Sequence, residues 1–552
     1  MSFAANENRQ LSMCDSFLHT SKRTQKFIKN SWAQGFADVV FPAIDEERFR
    51  VLYSENLASR PNTPVNIVIG ALVLKEMFGL TDDELFASIL CDIRFQHALH
   101  TSSFEEQPFS DRTVSRFRER LYLYEIESGK DLLQEEMESM AEKFRTFLKL
   151  DGSLRRMDSV MVSSSCKKMS RLEVLYTCTA NMVNAIRRTG EYEWIKGYDK
   201  YAEETHKNEM IYYRKKEEIS SRLQEVITDA TELLKRLPAG FGELEEYSLL
   251  QRVVKDQTKQ SETGTVTAKD KKDIEANSLQ NPSDPDATYR NKAGEGHTGY
   301  VGNFVETFQK DVALITSYDY EINSHSDNSF CQETIEKLGM QESPVRIIAD
   351  GAYSGSDRTA QAKSNNIELI TTALIGKIPD EVCAHFEIDD IEKQVICCPA
   401  GKHPYRTRHY EKTDMYRSSM PKKTCQDCPL QNQCGVKFQK NSACVSITPK
   451  TIERAKHLTR MSTKDYKQLA RQRNAIEGIP SVLRRKYRVD EIPVRGYVRS
   501  KQWFSFKIAA INAKRVLKAA SFTLHLCTFL KCAFHKQNRL TYFSGCATQS
   551  GL

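Results

Sequence analysis

The stretch VRIIADGAYSG sets the first limit on what this chain can fold into. Its mostly apolar run, Val345 to Ala349, ends on Asp350 and breaks at Gly351. A run of this kind reads as a buried strand, and buried strands belong to sheets covered by helices. An aspartate at the tip of such a strand presents its carboxylate to solvent or metal with little backbone freedom. The plainer reading stays open too, because Asp before Gly is an ordinary turn opener. Two more acidic residues have settings that can answer Asp350: Asp158 in LRRMDSVMV and Glu477 in RQRNAIEGIP. Three carboxylates that meet in space make a site for two divalent metal ions.

A chain of 552 residues exceeds a single core and implies about three or four domains. No apolar run approaches the roughly 18 residues that a membrane span needs, and MSFAANENRQ has no signal-peptide core. The expectation is a soluble cytoplasmic protein with no membrane contact. Fifteen cysteines without a secretion signal argue for reduced thiols or metal ligation rather than disulfides. The net charge of +7 hides an uneven distribution: between Lys450 and Lys518, 19 Lys or Arg stand against 5 Asp or Glu. That segment is the expected contact surface for a polyanion.

Residues 1–125 read as a helical module. NIVIGALVLKEMFGL is apolar at helical spacing and stops at Gly79, and Thr81 with Glu84 matches a capping box opening the next helix. A third helix starts in FSDRTVSRFRERL, with Ser110 or Asp111 as cap and with Arg112, Arg116, Arg118 and Arg120 along it. Short helices ending on a basic one fit a helix-turn-helix reader of DNA, in which Arg112 and Arg116 contact the duplex. They fit equally a packing module whose arginines are a solvated face.

Residues 126–165 form a linker and a first catalytic strand, where Asp158 stands among Met157, Val160 and Val162; Asp151 before Gly152 is a turn residue. Residues 166–296 join a charged amphipathic helical insert to a polar stretch from about Lys255 that reads as a linker or mobile loop. In 297–377, TGYVGNFVETFQ and DVALITSYDYEI give two strands. A helix at FCQETIEKLGM, the Asp350 strand, a helix over Asp357 to Ser364 and the strand IELITTALI follow. This order suits an α/β core, a mixed sheet flanked by helices.

Residues 378–450 form a cysteine-rich insert with Cys398, then Cys425-x-x-Cys428, then Cys434, and with Cys397 and Cys444 nearby. Four thiolates with one Cys-x-x-Cys knuckle match a closed, tetrahedral structural Zn²⁺ site. Free loop cysteines are the alternative, disfavoured by six cysteines within 48 residues, and His403 and His409 stay open as substitute ligands. In the basic region 451–520, Arg473 lies one helical turn before Glu477 on the same face. Arg484, Arg485 and Lys486 lie further along, two turns on if the helix survives Gly478 and Pro480. A lone glutamate among cations is by default a surface ion-pair member. Residues 521–552 form a tail without a readable pattern.

Taken in order, RMDSVMVSSS, IIADGAYSG and Arg473-x-x-x-Glu477 resemble the three signature regions of bacterial insertion-sequence DDE transposases. The likeness is to the subgroup with a helical N-terminal module, a DPDATYRNKAG-like segment (Asp284 to Gly294) and a cysteine-rich insert before the glutamate. It implies a ribonuclease-H-like fold in which Asp158, Asp350 and Glu477 hold two Mg²⁺ (or Mn²⁺) ions. It also implies double-stranded DNA as partner, both element ends and target, with end cleavage followed by strand transfer. A homodimer or larger assembly on DNA and a bacterial, nucleoid-associated location come with it. Arg473, Arg484, Arg485 and Lys486 would then hold the DNA backbone. The family's last motif commonly reads Tyr-x-x-Arg-x-x-x-Glu-x-x-x-x-x-x-Lys; here the tyrosine position is Ala470, with Tyr466 one turn earlier, and the lysine position is Arg484. Two other readings stay open: a nuclease of the same fold without strand transfer, and an inactive or repurposed zinc-containing DNA-binding protein.

Overall fold

A computed structural model describes the chain apart from residues 7–16, 57, 102–109, 214, 261–263, 293 and 544–552, and apart from the side chains of 356 and 521–543. Its centre is one mixed sheet of β1 (Leu154–Ser163), β2 (Thr288–Lys292), β3 (Glu295–Gln309), β4 (Val312–Ile322), β5 (Val345–Ala349) and β6 (Ile367–Thr371). The order is β2-β3-β1-β5-β6, with β4 also paired to β3. β3 runs antiparallel to β1 and β4, whereas β5 is parallel to β1 and β6 to β5. The short turn at Lys310 and Asp311 permits the antiparallel pair, and the helix Ser356–Ser364 supplies the crossover that the parallel pair β5–β6 requires.

Both faces of the sheet are covered, which explains why β5 is apolar and buried at every position except exposed Arg346. Met157, Val301, Val305, Val345, Ile347 and Ala349 bury against Phe330, Ile335 and Ala362 of the helices Asp327–Leu338 and Ser356–Ser364. On the opposite face Val160, Val162, Tyr300, Phe304 and Tyr318 join a core made by helices from the two ends of the chain. The N-terminal helices include α1 (Val65–Phe78), α2 (Asp82–Cys91), α3 (Asp111–Ser128) and α4 (Leu132–Phe147). Gly79 ends α1 in the left-handed region (φ 70°), and the Thr81–Glu84 capping box opens α2 as the sequence predicts.

The helical insert contains α5 (Arg171–Thr189), α6 (Ile219–Arg236) and α7 (Glu245–Gln257), which close a separate core around Leu175, Val183, Ile227 and Leu250. The polar stretch after it is not the linker or mobile loop that its composition suggests. It forms a hairpin (Thr258–Gln260 with Val266–Ala268), buries Leu279 in the insert core and contributes β2 to the main sheet, ahead of the expected boundary at 297. Asp284, 1% exposed, accepts from the Tyr300 hydroxyl (2.5 Å), the Ser164 hydroxyl (2.5 Å) and the Gly496 amide (3.1 Å). Its polar residues are therefore internal hydrogen-bond partners, and composition alone cannot separate that from solvation.

The cysteine-rich insert is a four-stranded antiparallel sheet, ordered β7-β8-β10-β9, of β7 (Arg406–Tyr410), β8 (Met415–Pro421), β9 (Lys437–Phe438) and β10 (Ser442–Ile447). Then come α8 (Pro449–Met461), α9 (Lys464–Arg473), a 3₁₀ turn over Asn474–Glu477, α10 (Gly478–Arg485) and α11 (Tyr497–Phe543). Pro480 falls in the first turn of α10, where no intrahelical bond is lost, so the helical path continues past Glu477.

The basic C-terminal region is only partly a free surface. In α11, Lys501 pairs with Glu125 and Asp131, Lys507 with Glu76 (3.0 Å), and Arg515 with Glu306 (2.6 Å). Lys514 donates to the Met77 carbonyl. These cations lock α11 into the core, and the exposed ones are concentrated before it. Among the described residues no helix is long and apolar enough to cross a membrane.

Candidate active site

Along β1, Arg156, Asp158, Val160 and Val162 share one face by the two-residue strand period. The two valines are buried under the helices, and Asp158 opens toward the gap before them with its side chain 15% exposed. β1 and β5 pair with Leu154 opposite Arg346 and Arg156 opposite Ile348. Two residues further in the same register, Asp158 comes level with Asp350. The Asp350 carboxylate accepts from the Gly351 amide. Close approach also demands the glycine, since a Cβ at Gly351 would lie 2.8 Å from the Ala373 carbonyl oxygen.

α9 brings the third carboxylate. Tyr466, 4% exposed, packs with Phe308, Ile348 and Ile370, and its hydroxyl donates to the Thr371 carbonyl at 2.5 Å. At the other end of α9, the Arg156 guanidinium donates to the Gln472 carbonyl at 2.6 Å. Held at both ends, the helix delivers Arg473 into the centre. Its guanidinium lies 3.7 Å from Asp158 and 3.8 Å from Asp350, and donates to Glu477 at 2.9 Å. The three carboxylates converge on one guanidinium that is 12% exposed. Only the Glu477 contact has hydrogen-bond length, and the buried Arg473 Nε donates to no described residue. The other two contacts are held by charge.

Burial pushes the Asp158 carboxyl above the usual range, opposed by Arg473, the Ser159 amide and Lys292 and reinforced by Asp350. Arg156 is a supporting residue that the sequence reading did not single out. It pairs with Glu306, which is fully buried and also bonded by Arg515. Its spacing two residues before Asp158 was the available signal, because it fixes the same strand face. On the reverse face the Ser159 hydroxyl donates to Asp327 (3.0 Å), and the Tyr353 hydroxyl to Asn303 (3.0 Å).

The other expected contacts are distributed over separate surfaces. Arg484 ion-pairs with Asp490 (3.3 Å) and donates to the Met161 carbonyl (3.3 Å), three residues beyond Asp158 on β1. Arg485 and Lys486 are exposed. On α3, Arg112 and Arg116 are exposed, whereas Arg118 pairs with Asp82 and Arg120 lies over the Tyr53 ring. Cys398, Cys425, Cys428 and Cys434 line one small cavity in the cysteine-rich insert. His403 bonds the Ile396 carbonyl and His409 bonds Asp414, so neither lines it. Among the described residues no group of three or more His, Cys, Asp or Glu is arranged to hold a metal ion. The carboxylates are gathered about a guanidinium instead, and the thiols about a cavity.

Two family models match the chain, a transposase DDE domain over residues 397–517 and a transposase domain (DUF772) over residues 23–120. These matches support an insertion-sequence DDE transposase. The transposase DDE match contains Arg473, Glu477 and the four cysteines and begins after both aspartates, so the contacts of Arg473 with Asp158 and Asp350 are what tie the two aspartates to it. The second transposase match begins ahead of α1 and runs into the first half of α3, with Arg112 and Arg116. A DDE domain implies a polynucleotidyl transferase acting on DNA. Among curated proteins and among solved structures, nothing matches the chain.

Proposed function

We propose that this protein cleaves DNA at the ends of an insertion sequence and joins them to target DNA, using Asp158, Asp350 and Glu477 as the catalytic carboxylates. The observation that carries the reading is their convergence on Arg473. The strand order, four strands in antiparallel pairing (β1 to β4) followed by two parallel ones (β5 and β6), supports a ribonuclease-H-like core. Hard oxygen donors on the ends of rigid elements suit Mg²⁺ or Mn²⁺. Such ions activate the attacking oxygen and stabilise the leaving one.

The protein's own groups bind and orient. Water attacks the end phosphate, the bond to the 3′-oxygen breaks, and that oxygen leaves as a hydroxyl. The freed 3′-hydroxyl then attacks a target phosphodiester, displacing the target's own 3′-oxygen. Arg473 keeps the three carboxylates within reach of one another despite their repulsion, and Arg484, Arg485 and Lys486 on the same helical path hold the phosphate backbone beside them. Exposed Arg112 and Arg116 let the N-terminal module contact the duplex as well. Cys398, Cys425, Cys428 and Cys434, four soft donors around one cavity, fit structural Zn²⁺. Joining two DNA ends calls for a homodimer or larger complex, in a bacterial cytoplasm at the nucleoid.

The test is Mg²⁺-dependent cleavage of duplexes carrying the element's own ends by the parent protein and by Asp350→Ala. Loss of cleavage with DNA binding retained is the expected result. Equal cleavage by both, or by neither, sinks the carboxylate assignment. Joined products on a target plasmid separate a transposase from a simple nuclease.

A further inference from the structure

The sheet of the cysteine-rich insert has one buried and one open face. Tyr416, Val445 and Ile447 bury in a core with Ile452 and Ala455 of α8. By strand alternation Arg406, Arg408, Arg417 and Lys437 point the other way, and all four are exposed. The register pairs Arg408 directly with Arg417, and sets Arg406, Ser419, Cys444 and Lys437 in one cross-strand row beside them. No described carboxylate forms an ion pair with any of these four cations. Like charges placed opposite each other on paired strands destabilise a sheet unless an anion lies over them. Among the described residues the nearest internal answer is the buried Cys444 thiol, which burial raises and hydrogen bonds from Ser419, Ser442 and Arg417 lower, to a net position below its ordinary range.

We propose that this arginine face is a second binding site for the phosphate backbone of duplex DNA. The proposal deepens the transposase reading and rests on it. Three guanidiniums on two adjacent strands, about 5 Å apart across the strands and about 7 Å apart along β7, offer planar forks suited to phosphate oxygens. The Tyr410 ring lies 5.2 Å from the Arg408 guanidinium and steadies it. The face is also fixed relative to the carboxylates. β10 enters α8 through Thr448, α8 shares the insert core, and α9 then ends on Arg473. DNA lying on this face is therefore held at a set position relative to the site.

The experiment uses the full chain in EDTA, so that binding is read without cleavage. A labelled duplex is titrated by fluorescence anisotropy at several NaCl concentrations with the parent, with Arg406→Ala/Arg408→Ala/Arg417→Ala, and with the corresponding triple lysine variant. Each lost phosphate contact reduces the slope of log K against log salt by about 0.9, so the alanine variant should be shallower by about 2–3 while the lysine variant stays near the parent. Because the alanine changes remove repulsion, the urea midpoint should not fall. An unchanged slope and affinity in the alanine variant overturns the proposal, and points to an acidic protein as the partner of this face if the parent binds DNA normally. A parent that binds with the steep slope yet never cleaves with Mg²⁺ overturns the catalytic reading and leaves this site standing. A parent that binds no duplex overturns both.

Discussion

Replacing Arg473 by Gln removes the cation on which the three carboxylates converge while keeping a polar side chain. A pair about 4 Å apart carries about 4 kcal/mol of Coulomb energy at an effective dielectric near 20. Asp350 and Glu477 are 49% and 57% exposed, so water reduces their shares to about 0.2–1 kcal/mol each. The Asp158 pair, with both side chains at most 15% exposed, is screened less and carries most of the effect. Together they predict a loss of about 2–4 kcal/mol in EDTA, measured by urea unfolding. The same change should make the protein more dependent on a divalent cation, because the carboxylates lose their internal counter-charge. Ca²⁺ at about 100 times its dissociation constant stabilises by about 2.7 kcal/mol, and the dissociation constant should be lower in the variant. Equal stability in EDTA together with an equal response to Ca²⁺ would refute the convergence of the three side chains.

Three further outcomes follow from other parts of the molecule. Arg156→Met should cost about 3–5 kcal/mol, because fully buried Glu306 loses one of its two guanidinium partners and the Gln472 carbonyl loses its donor; a urea series showing under 1 kcal/mol contradicts this network. Metal analysis of the purified protein should find one zinc per chain, lost in Cys425→Ser, and a zinc-free parent removes that site. Glu125, buried beside Asp131 against Lys501, is pushed up to about 7 from 4.5, by burial first and then by Asp131. A folded value above the unfolded one means that its contribution is fully present below pH 4.5 and is lost as pH rises through 7. Glu125→Gln should therefore flatten the stability profile over that interval by about 1–3 kcal/mol; a constant offset between the two proteins would exclude Glu125 as the source.

How legible the site was depends on which interactions are local. The Asp350 strand, the Thr81–Glu84 cap, Gly79 and the one-turn spacing of Arg473 and Glu477 all depend on neighbours within a few residues, and the chain states them directly. Tyr466 was noted only as one turn out of place; its hydroxyl on the Thr371 carbonyl shows it anchoring α9. The charge excess of the C-terminal region was visible, but its division was not. Lys501, Lys507 and Arg515 meet carboxylates from α1, α3 and β3 and the segment after α3, hundreds of residues away, and nothing local marks them as internal. The stretch after α7 looked mobile for the same reason, since the partners that bury Asp284 come from three other segments.

The sequence by itself determined the elements: where strands and helices start and stop, which carboxylates stand at their ends, and where thiols cluster. Periodicity and capping are properties of the local chain, so they are readable there. Only the tertiary structure decided that Asp158 and Asp350, 192 residues apart, come level. A parallel register is set by the packing of whole sheet faces and not by either strand alone. The same packing put Arg473 among the three carboxylates and turned four cations of the cysteine-rich insert outward, because burying the opposite face leaves them no other direction.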